Sequence, residues 1–259
     1  MIDIRYMLEI AKTAALEAGK AILEVYASGD FGVEMKSDQS PLTLADKAAH
    51  EIIMKHLEQT GIPVVSEEGS SVSFEERKNW EYCWLVDPLD GTKEFIKKTG
   101  EFTVNIALVH AGVPVAGIIY APILDTLYYG SAETGVYKMK KDIVETLSSI
   151  EKKQTISELQ SKTKLTIVAS KSHMNDETTA FINQFDNVNL LSIGSSLKLM
   201  LLAEGAADIY PRLAPTMEWD IAAGHALLSS LNFGVYQTDL SSELVYNKKD
   251  LLNPPFIAL

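Results

Sequence analysis

Two carboxylates three residues apart, Asp87 and Asp90, stand at the end of the apolar run 82–86, with Pro88 and Leu89 between them and Gly91 and Thr92 after them. A strand ending in acidic side chains across a proline turn can bring both to one point, and hard divalent cations such as Mg2+ take oxygen ligands of this kind. The carbonyl of Leu89, held between the aspartates, is a natural additional ligand. Gly91 and Thr92 then open a helical stretch over 92–98, and amides at a helix start favour an anion. Residues 84–95 thus offer cation ligands beside a phosphate cradle. The same residue types also build ordinary turns, so this segment alone leaves both readings open.

Two other acidic pairs are weaker by themselves. Glu67 and Glu68 follow the apolar run 62–66 and read equally well as a solvated loop. Glu218 and Asp220 bracket Trp219 before an apolar helix, where Asp220 alone reads as an N-cap.

The elements that must position these residues follow from periodicity. Apolar residues at helical spacing predict helices over 2–27 and 42–60, with Gly61 as a C′ residue and the turn-rich stretch 37–43 before the second. The middle of the chain reads as strands. The runs 104–110 and 113–122 flank Ala111-Gly112, and 126–132 and 135–140 flank Glu133-Thr134, both hairpin patterns. Four or five successive strands imply an antiparallel or mixed sheet. The polar stretch 147–162 reads as a connector. Beyond it, strands at 164–169, 188–193 and 207–210 alternate with helices at 176–185, 196–204 and 220–231, a layered α/β pattern. The fold class expected is therefore α/β (α+β), with residues 1–145 as an N-terminal part and 146–259 as a C-terminal part.

Composition narrows the function. The 259 residues are 46% hydrophobic, enough for a sizeable core, and carry a net charge of −12 with no basic block. Binding to duplex nucleic acid, which calls for a basic stripe, is excluded. A small anionic substrate would need cations to supply positive charge. The single cysteine, Cys83, allows no intramolecular disulfide and fits a reducing compartment. No signal-peptide pattern and no transmembrane run is expected, so the expected location is cytoplasmic, with peripheral inner-membrane association left open. No dinucleotide-binding or P-loop glycine pattern occurs. His50-Glu51 begins like a zinc-protease motif, but position 54 is Met. His110, His173 and His225 are isolated and expected to be structural, and Cys83 to be a buried small hydrophobe.

Taken together, the acidic segments resemble the inositol monophosphatase superfamily of metal-dependent, lithium-sensitive phosphatases. The motifs are WLVDPLDGTKEF (84–95), SEEG (66–69) and EWDIAAG (218–224). SPLTLAD (40–46), GEFTVNIALV (100–109), GSSLKLMLLAEGAADIYPR (194–212) and LLNPPF (251–256) are similar to bacterial members of its 3′(2′),5′-bisphosphate nucleotidase branch. The resemblance covers nearly the whole chain. It implies a layered αβαβα sugar-phosphatase-type fold, with a larger N-terminal mixed sheet and a smaller C-terminal α/β part. It implies Mg2+ held by Glu67, Asp87, Asp90, Asp220 and the Leu89 carbonyl, two ions with a third as this superfamily is thought to use. Glu68 is then a neighbour. Asp46 would accept the Thr92 proton while Thr92 accepts one from the attacking water. The Gly91 and Thr92 amides would hold the phosphate being cleaved.

In such a reaction one cation activates a water and a second, typically ~3.5–4 Å away, holds the leaving oxygen; the rest is positioning and charge neutralisation. Four carboxylates balance two Mg2+, and a third ion would leave the site positive. The expected substrate is a small phosphorylated nucleotide, adenosine 3′,5′-bisphosphate, converted to AMP and phosphate, with service in sulfur metabolism. An inositol-1-phosphate or sugar phosphatase is the alternative, and a non-catalytic phosphonucleotide sensor a remote one. Arg212 is expected to pair with a second phosphate, or else to form a surface salt bridge. Gly194, Ser195 and Ser196 open a helix and would donate to substrate or cap the helix. Lys198 would approach an anion or point to solvent. Glu218 would meet a ribose or a cation-bound water, or be solvated. The chain is expected to be a monomer or homodimer.

Overall fold

A computed structural model describes residues 2–36, 40–151, 153–170 and 174–259. Part of the expected turn 37–43, namely 37–39, and the isolated His173 lie outside the described residues. The first helix, α1 (Ile4–Ser28), starts where the Asp3 side chain accepts from Tyr6 N and ends at Gly29 in the left-handed region, φ 74°. It buries Leu8, Ala11, Ala15, Ala18 and Ile22, and its small residues permit close approach. A Cβ on Gly19 would stand 2.3 Å from the Tyr120 ring, so glycine is required there. A two-residue ribbon, β1 (Glu34–Met35) with β2 (Pro41–Leu42), leads into α2 (Leu44–Leu57). Thr43 and Asp46 form a reciprocal capping box at its start.

The main sheet takes β3 (Val64–Ser66) and, after the short helix α3 (Phe74–Arg77), β4 (Tyr82–Asp90). After α4 (Thr92–Ile96) come β5 (Thr103–His110), β6 (Val113–Ala121), β7 (Thr126–Ser131), β8 (Gly135–Lys140) and β9 (Ile143–Thr146). Spatial order follows sequence order; only β3 and β4 are parallel. Both expected hairpins form. Ala111 and Gly112 have φ 48° and 82°, two positive values as a two-residue turn that matches strand twist requires. Alternation along β4 sends Trp84 and Val86 into the layer with α1 and α2, and Cys83 and Leu85 into the opposite layer.

The second half supplies α5 (Ile156–Gln160), β10 (Leu165–Ala169), α6 (Asp176–Ile182), β11 (Val188–Ser192), α7 (Leu197–Ala203) and β12 (Tyr210–Arg212). It ends with β13 (Thr216–Met217), α8 (Glu218–Ser230), β14 (Val235–Gln237), β15 (Leu252–Asn253) and β16 (Phe256–Ala258). β10 pairs parallel with β11, β16 lies between β12 and β14, and a bridge from Ile167 to Ile209 joins the two groups. One face of this second sheet packs on α7 and α8 through Val168, Tyr210, Val235 and Phe256. The other face packs on α5 and α6 through Ile167, Ile209, Phe181 and Phe185. The layers therefore run α, β, α, β, α, the mixed α/β architecture expected. The central layer mixes residues from both sides of position 145, including Leu85, Ile119, Leu199 and Leu227.

Three local expectations are corrected. The strand placed at 207–210 lies at 210–212, because its partner is the remote β16. The connector 147–162 contains α5, fixed by a Thr155–Glu158 capping box. Helix α8 begins at Glu218, so Asp220 is not an N-cap but the third helical residue, reaching back to the Met217 amide. Among the described residues no helix is long and apolar enough to cross a membrane.

Candidate active site

The acidic residues meet where β3 and β4 end. Parallel pairing of Ser66 with Val86 carries Glu67 level with Asp87, and the Glu67 amide donates to Val86 O at 3.1 Å. The β4–β5 register slips between Asp87 and Asp90, which frees the DPLD segment to turn. Asp87 is 2% exposed, and its Oδ1 accepts from the Leu89 amide at 2.9 Å. Asp90 Oδ2 accepts from Asn105 Nδ2 at 3.3 Å and from Ser196 Oγ at 3.0 Å. Asp220 Oδ2 accepts from Met217 N at 2.8 Å. Each aspartate thus has one oxygen fixed by a protein donor.

The shared charge shifts the protonation of these groups. Burial first, then Glu67, Asp90 and Asp220, push the Asp87 carboxyl well above the ordinary carboxylate range. Burial and Asp90 do the same to Asp220. The Glu67 carboxyl is also raised by burial, against the pull of Lys36. Lys36 Nζ lies 2.7 Å from Glu67 Oε1 and 2.5 Å from Glu68 Oε1. With Glu67 turned to this ammonium, no three acidic, imidazole or thiol groups among the described residues are already arranged so as to hold a metal ion. The donor set itself still fits a hard divalent cation: all oxygen, strongly acidic, partly fixed, and mutually repelling until positive charge is supplied.

Asp46 and Thr92 come together beside this group. Thr92 Oγ1 is 3.3 Å from Asp46 Oδ1 and 3.2 Å from Leu89 O. Asp46 Oδ2 accepts from Thr43 N at 2.8 Å and Thr43 Oγ1 at 2.5 Å, and burial pushes its carboxyl up to about 6. Gly91, at φ 95°, sits against Glu101 O and Phe102, so a side chain there would be both strained and crowded.

A cavity of about 280 Å3 is lined by Glu67, Asp90, Thr92 and Asp220 and also by Ser195, Lys198, Tyr210 and Arg212. Lys198 does not point to solvent. It is 7% exposed, its Nζ donates to Ser195 O at 2.5 Å, and burial lowers its pKa to about 8. Arg212 forms no salt bridge among the described residues; its NH2 donates to Pro215 O at 3.1 Å while its buried Nε has no partner. Ser195 Oγ is likewise buried and unpartnered, at a residue with φ 49°. Unmet buried donors on a cavity wall are what an anionic ligand would satisfy.

Other expected contacts move. Ser196 neither caps α7 nor offers its hydroxyl to the cavity; the hydroxyl is spent on Asp90 and on Asp220 O, at 2.7 Å. The Gly194 amide is spent on Glu101 Oε2 at 2.9 Å. Glu218 is neither in the cavity nor solvated. It is fully buried and accepts from Asn247 N, Lys248 N and Lys248 Nζ, the last at 2.5 Å. Its place at the first turn of α8 points it away from Asp220, toward the loop after Tyr246.

Cys83 is buried, with its thiol pushed up to about 12. His225 is buried between Tyr246 and Glu243, and His110 stacks on Tyr82; both are structural. The sequence reading missed Lys36, Thr43 and Asn105. A lone Asn inside the apolar run 104–109 was a signal for the last, since a buried amide needs partners. The T-x-x-D spacing from Thr43 to Asp46 was one for the capping box.

Comparison with known proteins places the chain in a family. A profile of the inositol monophosphatase family matches residues 3–256. The 3′(2′),5′-bisphosphate nucleotidase CysQ of Salmonella typhimurium is 41% identical over 253 residues, covering 96% of this chain and 98% of that protein. The protein of the same name from Buchnera aphidicola is 42% identical, covering 94% and 88%. A crystal structure of CysQ from Bacteroides thetaiotaomicron, described as a bacterial member of the inositol monophosphatase family, superposes with a TM-score of 0.83 at 45% identity, covering 98% of this chain and 96% of that one.

Proposed function

The chain belongs to the inositol monophosphatase family, a family of phosphatases, and on that premise we propose that it is a Mg2+-dependent 3′(2′),5′-bisphosphate nucleotidase converting adenosine 3′,5′-bisphosphate to AMP and phosphate. The observation that supports the reading is a cavity lined by Glu67, Asp90 and Asp220, from three remote segments and electrostatically coupled to buried Asp87, and lined as well by Lys198 and Arg212. Acidic residues supply one half of a phosphatase site and a cationic wall the other. The names of relatives at about 40% identity support the bisphosphate nucleotide as substrate.

In this reading Glu67, Asp87, Asp90, Asp220 and the Leu89 carbonyl hold Mg2+. The bound cations supply positive charge to the phosphate and acidity to water. Asp46, kept in place by Thr43, accepts the Thr92 proton, which turns a Thr92 lone pair toward the attacking water. The Gly91 and Thr92 amides hold the departing phosphate. Lys198, Arg212 and Ser195 Oγ receive the second phosphate, so that residues 1–145 carry most of the chemistry and 146–259 supply Asp220 and the selection. Inhibition by Li+, a cytoplasmic location and a place in sulfur metabolism belong to the same proposal.

The test is a comparison of adenosine 3′,5′-bisphosphate, inositol 1-phosphate and a sugar phosphate, with Mg2+ and with EDTA. The nucleotide should have the highest kcat/KM, and EDTA should abolish turnover. A higher kcat/KM for inositol phosphate would replace the nucleotidase reading, and EDTA-resistant turnover would remove the metal.

A further inference from the structure

Three polar side chains lie buried where an apolar contact would hold the layers together: Thr103, Asn105 and Ser196, exposed 0%, 0% and 3%. They form a chain that ends on the acidic site. Thr103 Oγ1 donates to Asn105 Oδ1 at 3.0 Å, which turns the Asn105 amide nitrogen toward Ser196 Oγ at 2.8 Å and Asp90 Oδ2 at 3.3 Å. Ser196 Oγ then lies 3.0 Å from Asp90 Oδ2 and 2.7 Å from Asp220 O, sharing its single proton between them. The chain thereby joins β5, the end of β4, the entry to α7 and the start of α8, across more than 90 residues of sequence. It also acts selectively. Asp90 Oδ2 takes both donors, whereas among the described residues Asp90 Oδ1 takes none. A carboxylate with one oxygen fixed and the other open is pre-set as a ligand.

Resting on the reading of Asp90 and Asp220 as Mg2+ ligands, we infer that Ser196, oriented by Asn105, is a positioning residue that sets the Asp90 carboxylate against the backbone of Asp220 before any cation arrives. Buried polar chains cost more than apolar packing unless every member is satisfied, and here each bond is aimed at the acidic pair. Partners that orient ligating carboxylates typically change metal affinity 10–100-fold. The substrate-facing alternative makes the opposite demand: it needs the Ser196 proton directed into the cavity.

The experiment measures Mg2+ binding to the substrate-free protein by calorimetry, and Tm with and without Mg2+, in Ser196→Ala, Ser196→Thr, Asn105→Ala and Asp90→Asn. Ser196→Ala should weaken the Mg2+ Kd by about 10–100-fold and shrink the Mg2+-induced rise in Tm, with KM for the nucleotide unchanged at saturating Mg2+. Ser196→Thr, which keeps the hydroxyl, should recover the affinity. A residue that only stabilised the fold would lower Tm equally with and without the ion. If Ser196→Ala does not fold, Asn105→Ala reports on the same contact and should also weaken Mg2+ binding. Wild-type Mg2+ affinity in the folded variant, or a raised KM with Mg2+ binding intact, overturns the inference. If Asp90→Asn also binds Mg2+ like the wild type, it is the ligand reading that fails; if Asp90→Asn loses the ion and Ser196→Ala keeps it, the positioning role alone falls.

Discussion

Asp87→Asn should stabilise the metal-free protein while destroying its response to Mg2+. The side chain is 2% exposed, and burial together with Glu67, Asp90 and Asp220 holds its carboxyl well above the ordinary range. Asparagine has the same shape and still offers an oxygen to the Leu89 amide, now 2.9 Å from Asp87 Oδ1, so the substitution removes one charge and little else. Removing that uncompensated buried charge should raise the stability of the metal-free protein at neutral pH. For a chain of this length each kcal/mol gained reads as a rise in Tm of about 2–4 °C in EDTA.

The pH dependence of that gain has a definite sign. A carboxylate whose folded pKa is raised costs stability above that pKa, and the cost disappears as the pH falls toward the unfolded value near ~3.9. The advantage of the variant should therefore be largest at neutral pH and above, and vanish on acidification. Adding Mg2+ should reverse the order, since a ligand at 100 times its Kd contributes about 2.7 kcal/mol to the wild type alone. Differential scanning fluorimetry of both proteins, in EDTA and in Mg2+ across this pH range, reads the crossing directly. A variant less stable than the wild type in EDTA at neutral pH, or one stabilised equally by Mg2+, would refute the electrostatic account.

Burial raises Asp46 to about 6, and it must be ionised to accept the Thr92 proton, so kcat should fall as pH drops through about 6, or lower once cations are bound. Asp46→Asn should cost at least ~10²-fold in kcat; a rate near the wild type would remove Asp46 from the mechanism. Arg212→Ala should raise KM for the bisphosphate about 10–100-fold, as for loss of a charge-assisted hydrogen bond, and spare a simple aryl phosphate; equal losses on both substrates would acquit Arg212. Glu218→Gln should lower Tm by weakening its bonds to Lys248 and Asn247, at a cost of about 1–3 kcal/mol, with KM unchanged. A raised KM at unchanged Tm would return Glu218 to the substrate.

The long helix α1, the helix α2, both hairpins and the sheet they build were legible because each depends on neighbours in sequence: helical spacing, turn residues between apolar runs. The strand at 210–212 was not, since its partner is 256–258 and no local pattern announces a remote pairing. Its three-residue displacement is the mark of tertiary pairing outranking local propensity. The helix α5 was missed for a different reason. Its signal, Thr155 and Glu158, was present but lay in a stretch whose polarity reads as linker.

Residue types at short spacing pointed to cation chemistry, with Asp87 and Asp90 around a proline, then Gly91 and Thr92, and the resemblance of three remote segments chose that reading over an ordinary turn. That much needs no tertiary structure, because ligand identity and the turn that bunches the ligands are local properties. The tertiary structure decided which neighbours serve them. Two residues along a helix rotate a side chain by about 200°, and that rotation separates Asp220, which faces the acidic site, from Glu218, buried against Lys248. In the turn before α7 it is backbone direction that leaves Ser195 Oγ on the cavity wall and sends Ser196 to Asp90. Direction of that kind is set by packing α7 and α8 onto the sheet, contacts between residues roughly a hundred positions apart, and so it becomes readable only once the layers are assembled.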